Sequence, residues 1–382
     1  MVLTSCIEPI DPNNIAFDDL LVIDGLVTDE VVNQEIILSR TKAINDRTFF
    51  FERGARVWIE DSEGARINFS EESNGRYVTQ TPYGVPVGGS VQLFIETESG
   101  RQYESLMVDV LPTDAVDSIF AEFTSEPVRR NTFAGRFNFF LDARNNQSDN
   151  RFFRWDWNYT FEFSTSTPSR WLFINNEFIN RDRGSENDSL QVEVCWQTFE
   201  NKDLNLIEVQ TPEIGVTRLP LYDFHSEEGF MKKGFSMELE WYALSQTSYN
   251  YWKLVDDFNQ EQGSLADLQP GTIVGNVRSI SNPQEIVLGR FDAVQIQRLR
   301  RHFDREDFFN AGFRVIRGDF IDCADFDPVS SADTIEAVDS TLNVLGDEWV
   351  LSYFGNSTAF FLPKRCAECT EFGSNKRPEF WE

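Results

Sequence analysis

The sequence predicts a mainly β protein, with an N-terminal immunoglobulin-like β-sandwich over 20–111 and a larger β-rich domain over 112–382 carrying one or two helices. Three observations predict it. Short apolar or alternating runs recur with turn chemistry between them. Aromatic residues make up 14% of the chain, including 35 Phe and 9 Trp, and such side chains suit pleated, half-buried surfaces. One stretch, "RWDWNYTFEF" (154–163), alternates with period two for longer than most strands last. At 382 residues the chain has room for two or three domains of about 150 residues each.

In chain order, residues 1–19 read as a tether. "LLVIDGLVT" (20–28), "NQEIILSR" (33–40), "ARVWIED" (55–61), "SVQLFIETE" (90–98) and "QYESLMVDV" (102–110) have strand lengths and strand patterns. "DSEG", "ESNG" and "GVPVGG" punctuate them with turn residues, the spacing expected of a sandwich. Pro112 interrupts the pattern within "LPTDAVDS" (111–118), which reads as a linker or sheet crossover. Beyond it, "RFNFFLDAR", "NRFFRWDWNYTFEFS" and "LQVEVCWQTF" continue the strands. "SQTSYNYWKLVDDFNQEQG" (245–263) is the clearest helix, with a Ser or Thr cap, Tyr249, Trp252, Val255 and Phe258 on one face, and Gly263 at its end. "AVQIQRLRRHF" (293–303) fits either a second helix or an edge strand, and 184–189 and 325–347 read as loops.

Lys and Arg number 34 against 63 Asp and Glu, a formal net charge of −29. That balance repels phosphate backbones and excludes nucleic acid as an expected partner. It equally excludes docking on anionic lipid through a basic patch. No run reaches the 18 or so apolar residues of a membrane-spanning helix.

The small-residue run "LTSC" (3–6) has the form of a lipobox, where a bacterial signal peptide is cut and the new N-terminal cysteine acylated. Only Met1 and Val2 stand before Leu3, so the basic and apolar parts of a signal peptide would belong to a longer precursor. Four cysteines remain: Cys195, Cys323, Cys366 and Cys369. An even set suits disulfides in an exported protein, and sequence leaves all three pairings open. Cys366-Ala-Glu-Cys369 also admits a zinc or redox reading. The other two cysteines are not a close pair, and the motif follows Pro363 rather than opening a helix in a βαβ setting.

Catalytic constellations are missing. The two histidines, His225 and His302, lie in charged runs, and no H-x-x-x-H pair, G-x-S-x-G elbow or Walker loop occurs. Asp319, Asp322, Asp325 and Asp327 cluster without the spacing of a calcium loop. Asp256-Asp257 is the kind of acidic pair a glycosidase uses, but 63 acidic residues supply many such pairs by chance.

The blocks "GFSMELEWYALSQTSYNYWKLVDDFNQEQGSLADLQPGTIVGNV" (234–277), "NPQEIVLGRF" (282–291) and "CAECTEFGSNKRPEFW" (366–381) resemble the domain of unknown function 4249 family. "SCIEPID", "LLVIDGLVTDE" and "ILSRT" (37–41) resemble that family's N-terminus. The closing C-x-x-C then G-x-N-x-x-P-x-F-W is the most specific piece. Two departures are Arg290 in "GRF", where a Tyr is expected, and the acidic segment 319–348. The resemblance implies an exported lipoprotein of Bacteroidetes, acylated at Cys6, with Glu8 and Asp11 as a surface-export signal. It implies neighbours rather than a reaction, since such genes commonly stand beside SusC-like TonB-dependent transporters.

The expected function is therefore a non-enzymatic, lipid-anchored, surface-exposed outer-membrane lipoprotein without cofactors. It would serve as accessory subunit of an outer-membrane β-barrel, either a TonB-dependent transporter or a secretion or assembly barrel. The alternative is a free-standing glycan- or peptide-binding lipoprotein, motivated by the aromatic surplus. A docking subunit is expected to expose a patch of Phe, Tyr or Trp on its acidic body, whereas the free-standing binder needs aromatics clustered in a cleft. Mass spectrometry of the native N-terminus is expected to find a mature chain beginning at acylated Cys6; a bare Cys6 or a retained Met1 contradicts this.

Overall fold

The computed structural model describes residues 19–41, 50–113, 115–129, 132–144, 149–182, 188–210, 215–261, 273–311, 320–321, 323 and 328–381. Nine strands come first: β1 (Leu21–Thr28), β2 (Glu35–Arg40), β3 (Phe50–Phe51), β4 (Arg56–Asp61), β5 (Arg66–Ser73), β6 (Arg76–Thr79), β7 (Ser90–Glu96), β8 (Gln102–Ser105) and β9 (Val108–Asp109). Period-two patterning becomes burial along them. In β7, Val91, Leu93 and Ile95 are buried while the residues between them are not. "QYESLMVDV" divides into β8 and β9, leaving Leu106 and Met107 between them at the surface.

Next come β10 (Val116–Arg129), β11 (Thr132–Ala143), β12 (Phe152–Ser164), β13 (Trp171–Ile174), β14 (Glu177–Asn180), β15 (Val194–Glu200), β16 (Asn205–Glu208), β17 (Val216–His225) and β18 (Phe235–Ala243). Helix α1 (Gln246–Glu261) follows, then β19 (Val277–Ser279), β20 (Leu288–Val294), β21 (Ile296–Phe303) and β22 (Val329–Ala332). Helix α2 (Ile335–Leu345), β23 (Trp349–Gly355), β24 (Thr358–Pro363) and the short α3 (Lys364–Ala367) complete the chain. The fold is mainly β with few helices, as the composition predicts.

The first sheet runs β19-β8-β7-β4-β5-β6-β2-β1-β20, with β3 beside β2 and β9 beside β7. It is not confined to 20–111. The chain returns at 277–294 to supply both ends of the strand order, and β20 pairs with β1 in parallel, Ile23 opposite Gly289 and Gly25 opposite Phe291. Because β20 also lies against β7 and β9, the sheet rolls round one core that holds Leu21, Ile36, Ile59, Leu93 and Phe291. Gly289 makes the return possible. Its φ is +79°, and a Cβ there would stand 1.9 Å from the Ile23 carbonyl oxygen.

Two facing sheets form the second body, β10-β11-β17 over β15-β12-β18-β21, with β16 also on β12. β12 turns Phe153, Trp155, Trp157, Tyr159, Phe161 and Phe163 inward, against Phe235, Met237, Leu239 and Trp241 of β18. From the opposite sheet Phe139 meets Phe235 and Phe303 with ring centroids 5.0 and 5.1 Å apart, inside the favourable aromatic range. Residues 293–303, open to two readings in sequence, form the end of β20 and the edge strand β21.

Residues 325–347, expected as loop, contain β22 and α2. Thr334 caps α2 by accepting from the Ala337 amide at 3.2 Å, and Gly346 ends it with φ 82°. The helix sets Val338, Leu342 and Leu345 over the β22-β24-β23 sheet, beside the β13–β14 hairpin.

The structure selects one cysteine pairing: Cys195–Cys369 and Cys323–Cys366. Each therefore ties the tail to a distant strand or loop. Beyond Cys369, Ser374 exchanges two backbone hydrogen bonds of 2.9 Å with Trp196, and Trp381 packs edge-on to both Trp196 and His302. A buried ion pair between Arg181 and Glu368 completes the attachment.

Phe139→Ala is expected to cost about 3–5 kcal/mol in urea unfolding, because the ring is fully buried between both sheets. The two crosslinks close spans of 174 and 43 residues. Chain entropy then makes the Cys195→Ala/Cys369→Ala variant less stable than Cys323→Ala/Cys366→Ala by about 1 kcal/mol, and the reverse order in parallel unfolding curves contradicts this account.

Candidate functional site

The two bodies meet under α1. Ser245 caps the helix by accepting from the Ser248 amide at 3.1 Å, and Tyr249 and Trp252 point inward at the expected spacing. They join a small core of Tyr242, Leu244, Val294 and Ile296, with Leu26 of the first sheet and Phe152 of the second packed against it. Strand β20 passes into β21 through Gln295 alone, whose side chain accepts from the Thr113 amide at 2.7 Å. Asp29 accepts from the Ile296 amide at 2.9 Å, and Arg298 pairs with both Glu30 and Glu240. The joint is thus hydrogen-bonded on every side.

Beneath α1 sits a buried polar network. Asp292 takes Ser248 Oγ at 2.9 Å and Trp252 Nε1 at 3.0 Å on one oxygen, and Arg290 Nε at 2.7 Å on the other. Arg290 and Asp292 are almost fully buried, and hydrogen bonds to both oxygens of Asp292 offset the cost of burying its charge. On the far side of Trp252, the Arg154 guanidinium lies 4.7 Å from the ring centre and donates to Asp156, which also accepts from Tyr242. Burial works against the Arg154 charge, but Tyr242, Asp156 and Asp292 outweigh it and raise its pKa. Burial pushes the Tyr242 hydroxyl well above its ordinary range.

Arg290 of this network lines a cleft of about 740 Å³. One wall is α1, with Thr247, Asn250, Tyr251 and Leu254; the other is the β8–β9 turn and residues 273–276. Leu106 donates its amide to the Asn276 carbonyl at 2.8 Å, and the Asn276 side chain bonds both backbone groups of Phe291, which fixes that wall. Its rim is apolar and open: Leu106, Met107, Leu254 and Val274 are 62, 49, 57 and 57% exposed. A smaller polar hollow of about 400 Å³ lies beyond Trp252, lined by Arg154, Asp156, Lys202 and Asp203.

The rim of this cleft is aliphatic, not the patch of Phe, Tyr or Trp expected of a docking subunit. The rings that motivated a sugar platform are mostly spent in the core, where they stack on one another, and among the described residues the exposed ones are Phe50, Tyr353, Phe372 and Phe380. None of the cleft residues stood out in the sequence. Leu106 and Met107 carried a weak signal, two large apolar residues side by side in a run that otherwise alternates.

Ser248 donates its hydroxyl to Asp292, and neither histidine is near it. His225 contacts Arg136 at 2.9 Å and His302 packs edge-on against Trp381, and neither lines the cleft. Asp256 holds Gln260 and Asp257 lies 3.9 Å from Lys253, a solvated helix face without the opposed geometry of glycoside cleavage. Among the described residues no group of three or more His, Cys, Asp or Glu is placed to hold a metal. Their four cysteines are spent in the disulfides, which overturns the zinc and redox readings. Cys6, Glu8, Asp11, Gly263 and the cluster of Asp319, Asp322, Asp325 and Asp327 lie outside the described residues.

No curated protein matches the chain. Among solved structures it is similar to a putative membrane anchored protein from Corynebacterium diphtheriae, at 11% identity and a TM-score of 0.16, over 72% of this chain and 62% of that one. It is also similar to the B domain of a biofilm associated protein, at 7% identity and a TM-score of 0.12, over 75% of this chain and 85% of that one. Likenesses this slight bear on neither fold nor function. The family model described as "Domain of unknown function (DUF4249)" matches residues 7–300, and the chain belongs to that family.

Proposed function

We propose that this protein is a non-enzymatic, lipid-anchored lipoprotein of the outer membrane, exposed at the cell surface, that docks through its α1 cleft face on a β-barrel partner. The single observation that carries the reading is the open aliphatic rim of Leu106, Met107, Leu254 and Val274. On a chain of net charge −29, an apolar patch around a preformed cleft is the surface at which association releases water without bringing carboxylates together. The acylated Cys6 would hold the body near the membrane and raise its effective concentration beside a barrel. A TonB-dependent transporter of the SusC type, or a secretion or assembly barrel, fits that placement.

A specific contact of this kind buries roughly 1,200–2,000 Å². Affinity purification of the native lipoprotein from gently solubilised membranes is expected to recover a barrel protein in stoichiometric amount. A lipoprotein that migrates alone overturns the subunit reading.

A further inference from the structure

We infer that the α1 cleft holds an extended, uncharged, apolar peptide segment of the partner protein; this rests on the docking face proposed above and specifies what that face receives. The inference starts from Arg290. Its side chain lines the cleft floor and is 7% exposed. Its Nε is bonded to Asp292, whose other oxygen is already occupied by Ser248 and Trp252. Among the described residues nothing accepts from its two Nη groups. These open donors meet solvent in the cleft, so an acceptor that enters can take the place of that solvent.

The surrounding charge decides which acceptor. Asp292 is bonded to Arg290, Asp24 is its register partner on β1, and Asp109 lines the same cleft. Arg290 is neutralised by Asp292, and the remaining charged residue of the lining is Asp109, so the cleft is negative on balance within a chain that is itself strongly acidic. A fatty acid or other oxyanion is repelled, whereas the carbonyl oxygen of a neutral amide is not.

The walls decide the rest. Leu254 stands on the helix side, Met107 and Val274 on the sheet side, and a polar floor runs between them. An extended peptide sends successive side chains to opposite sides and keeps carbonyl groups along its length. Apolar residues at alternate positions meet both walls while the backbone reaches Arg290 and Asn250. At about 740 Å³ the cleft lies within the size range of built binding sites.

The test is a bead-displayed library of N-acetylated, C-amidated octapeptides screened with the purified chain. Selection is expected for Val, Ile and Leu and against Asp and Glu. Leu254→Asp and Val274→Asp, on exposed positions that leave the fold intact, are expected to weaken the selected peptides about tenfold or more. Arg290→Lys keeps the charge beside Asp292 but removes the forked donor, and is expected to weaken them about fivefold or more with an unchanged circular dichroism spectrum. No selection, selection of acidic peptides, selection indifferent to Leu254→Asp, or displacement of the peptides by dodecanoate each overturns the inference. The screen contains no barrel, so the two readings fail separately. Peptide selection without a co-purifying barrel leaves a free-standing peptide binder; a barrel without peptide selection leaves a subunit that docks by another chemistry.

Discussion

The parallel pairing of β1 with β20 is the constraint on which the rest of the molecule depends. An antiparallel partner for β1 comes from its neighbour in sequence, β2, and costs little loop entropy. The parallel partner arrives only after α1 and all of the second sandwich except its edge strand β21 have been laid down. Because β20 continues into β21 through Gln295, the strand that completes the first core also forms the edge of the second sheet. Two bodies that share a strand path cannot hinge freely at that point. The helix wedged into the joint is held from both sides, and so is the cleft it walls.

Much of this architecture was legible in the sequence, because strands with one buried face announce themselves by alternation. β1, β7 and β12 follow that rule almost residue by residue. Where the pattern failed, a particular residue explains it. "LGRFDAV" shows no clean alternation because Arg290 and Asp292 are buried on the face that would ordinarily be solvated. In α2 the signals were complete, a Thr cap, apolar residues at helical spacing and a terminal Gly, but the acidic context around them looked like a solvated loop. The cleft was illegible for a different reason. Its walls come from three stretches far apart in the chain, and no local pattern records that Met107, Leu254 and Val274 will share a rim.

Charge is distributed with the same economy. Arg56, Arg76, Arg218 and Arg298 are each paired with a carboxylate, and the 63 acidic residues still outnumber the 34 basic ones. Exposed pairs of this sort contribute little stability individually. Their collective effect is on solubility: the body repels copies of itself and anionic surfaces alike. Against that background the aliphatic rim is the least repulsive approach to the molecule.

The connectivity of the tail has a consequence for how the protein must be made. Cys195 and Cys323 emerge from any N-to-C process before either of their partners, and for that interval each is the other's nearest available thiol. A bond between them would be non-native and would have to be attacked by a thiolate from Cys366 or Cys369 once the last residues arrive. The C-x-x-C spacing supplies two such thiols three residues apart, so an intermediate mixed disulfide on one cysteine leaves the second within reach to resolve it. Native pairing of Cys195 and Cys323 therefore waits on the arrival of Cys366 and Cys369.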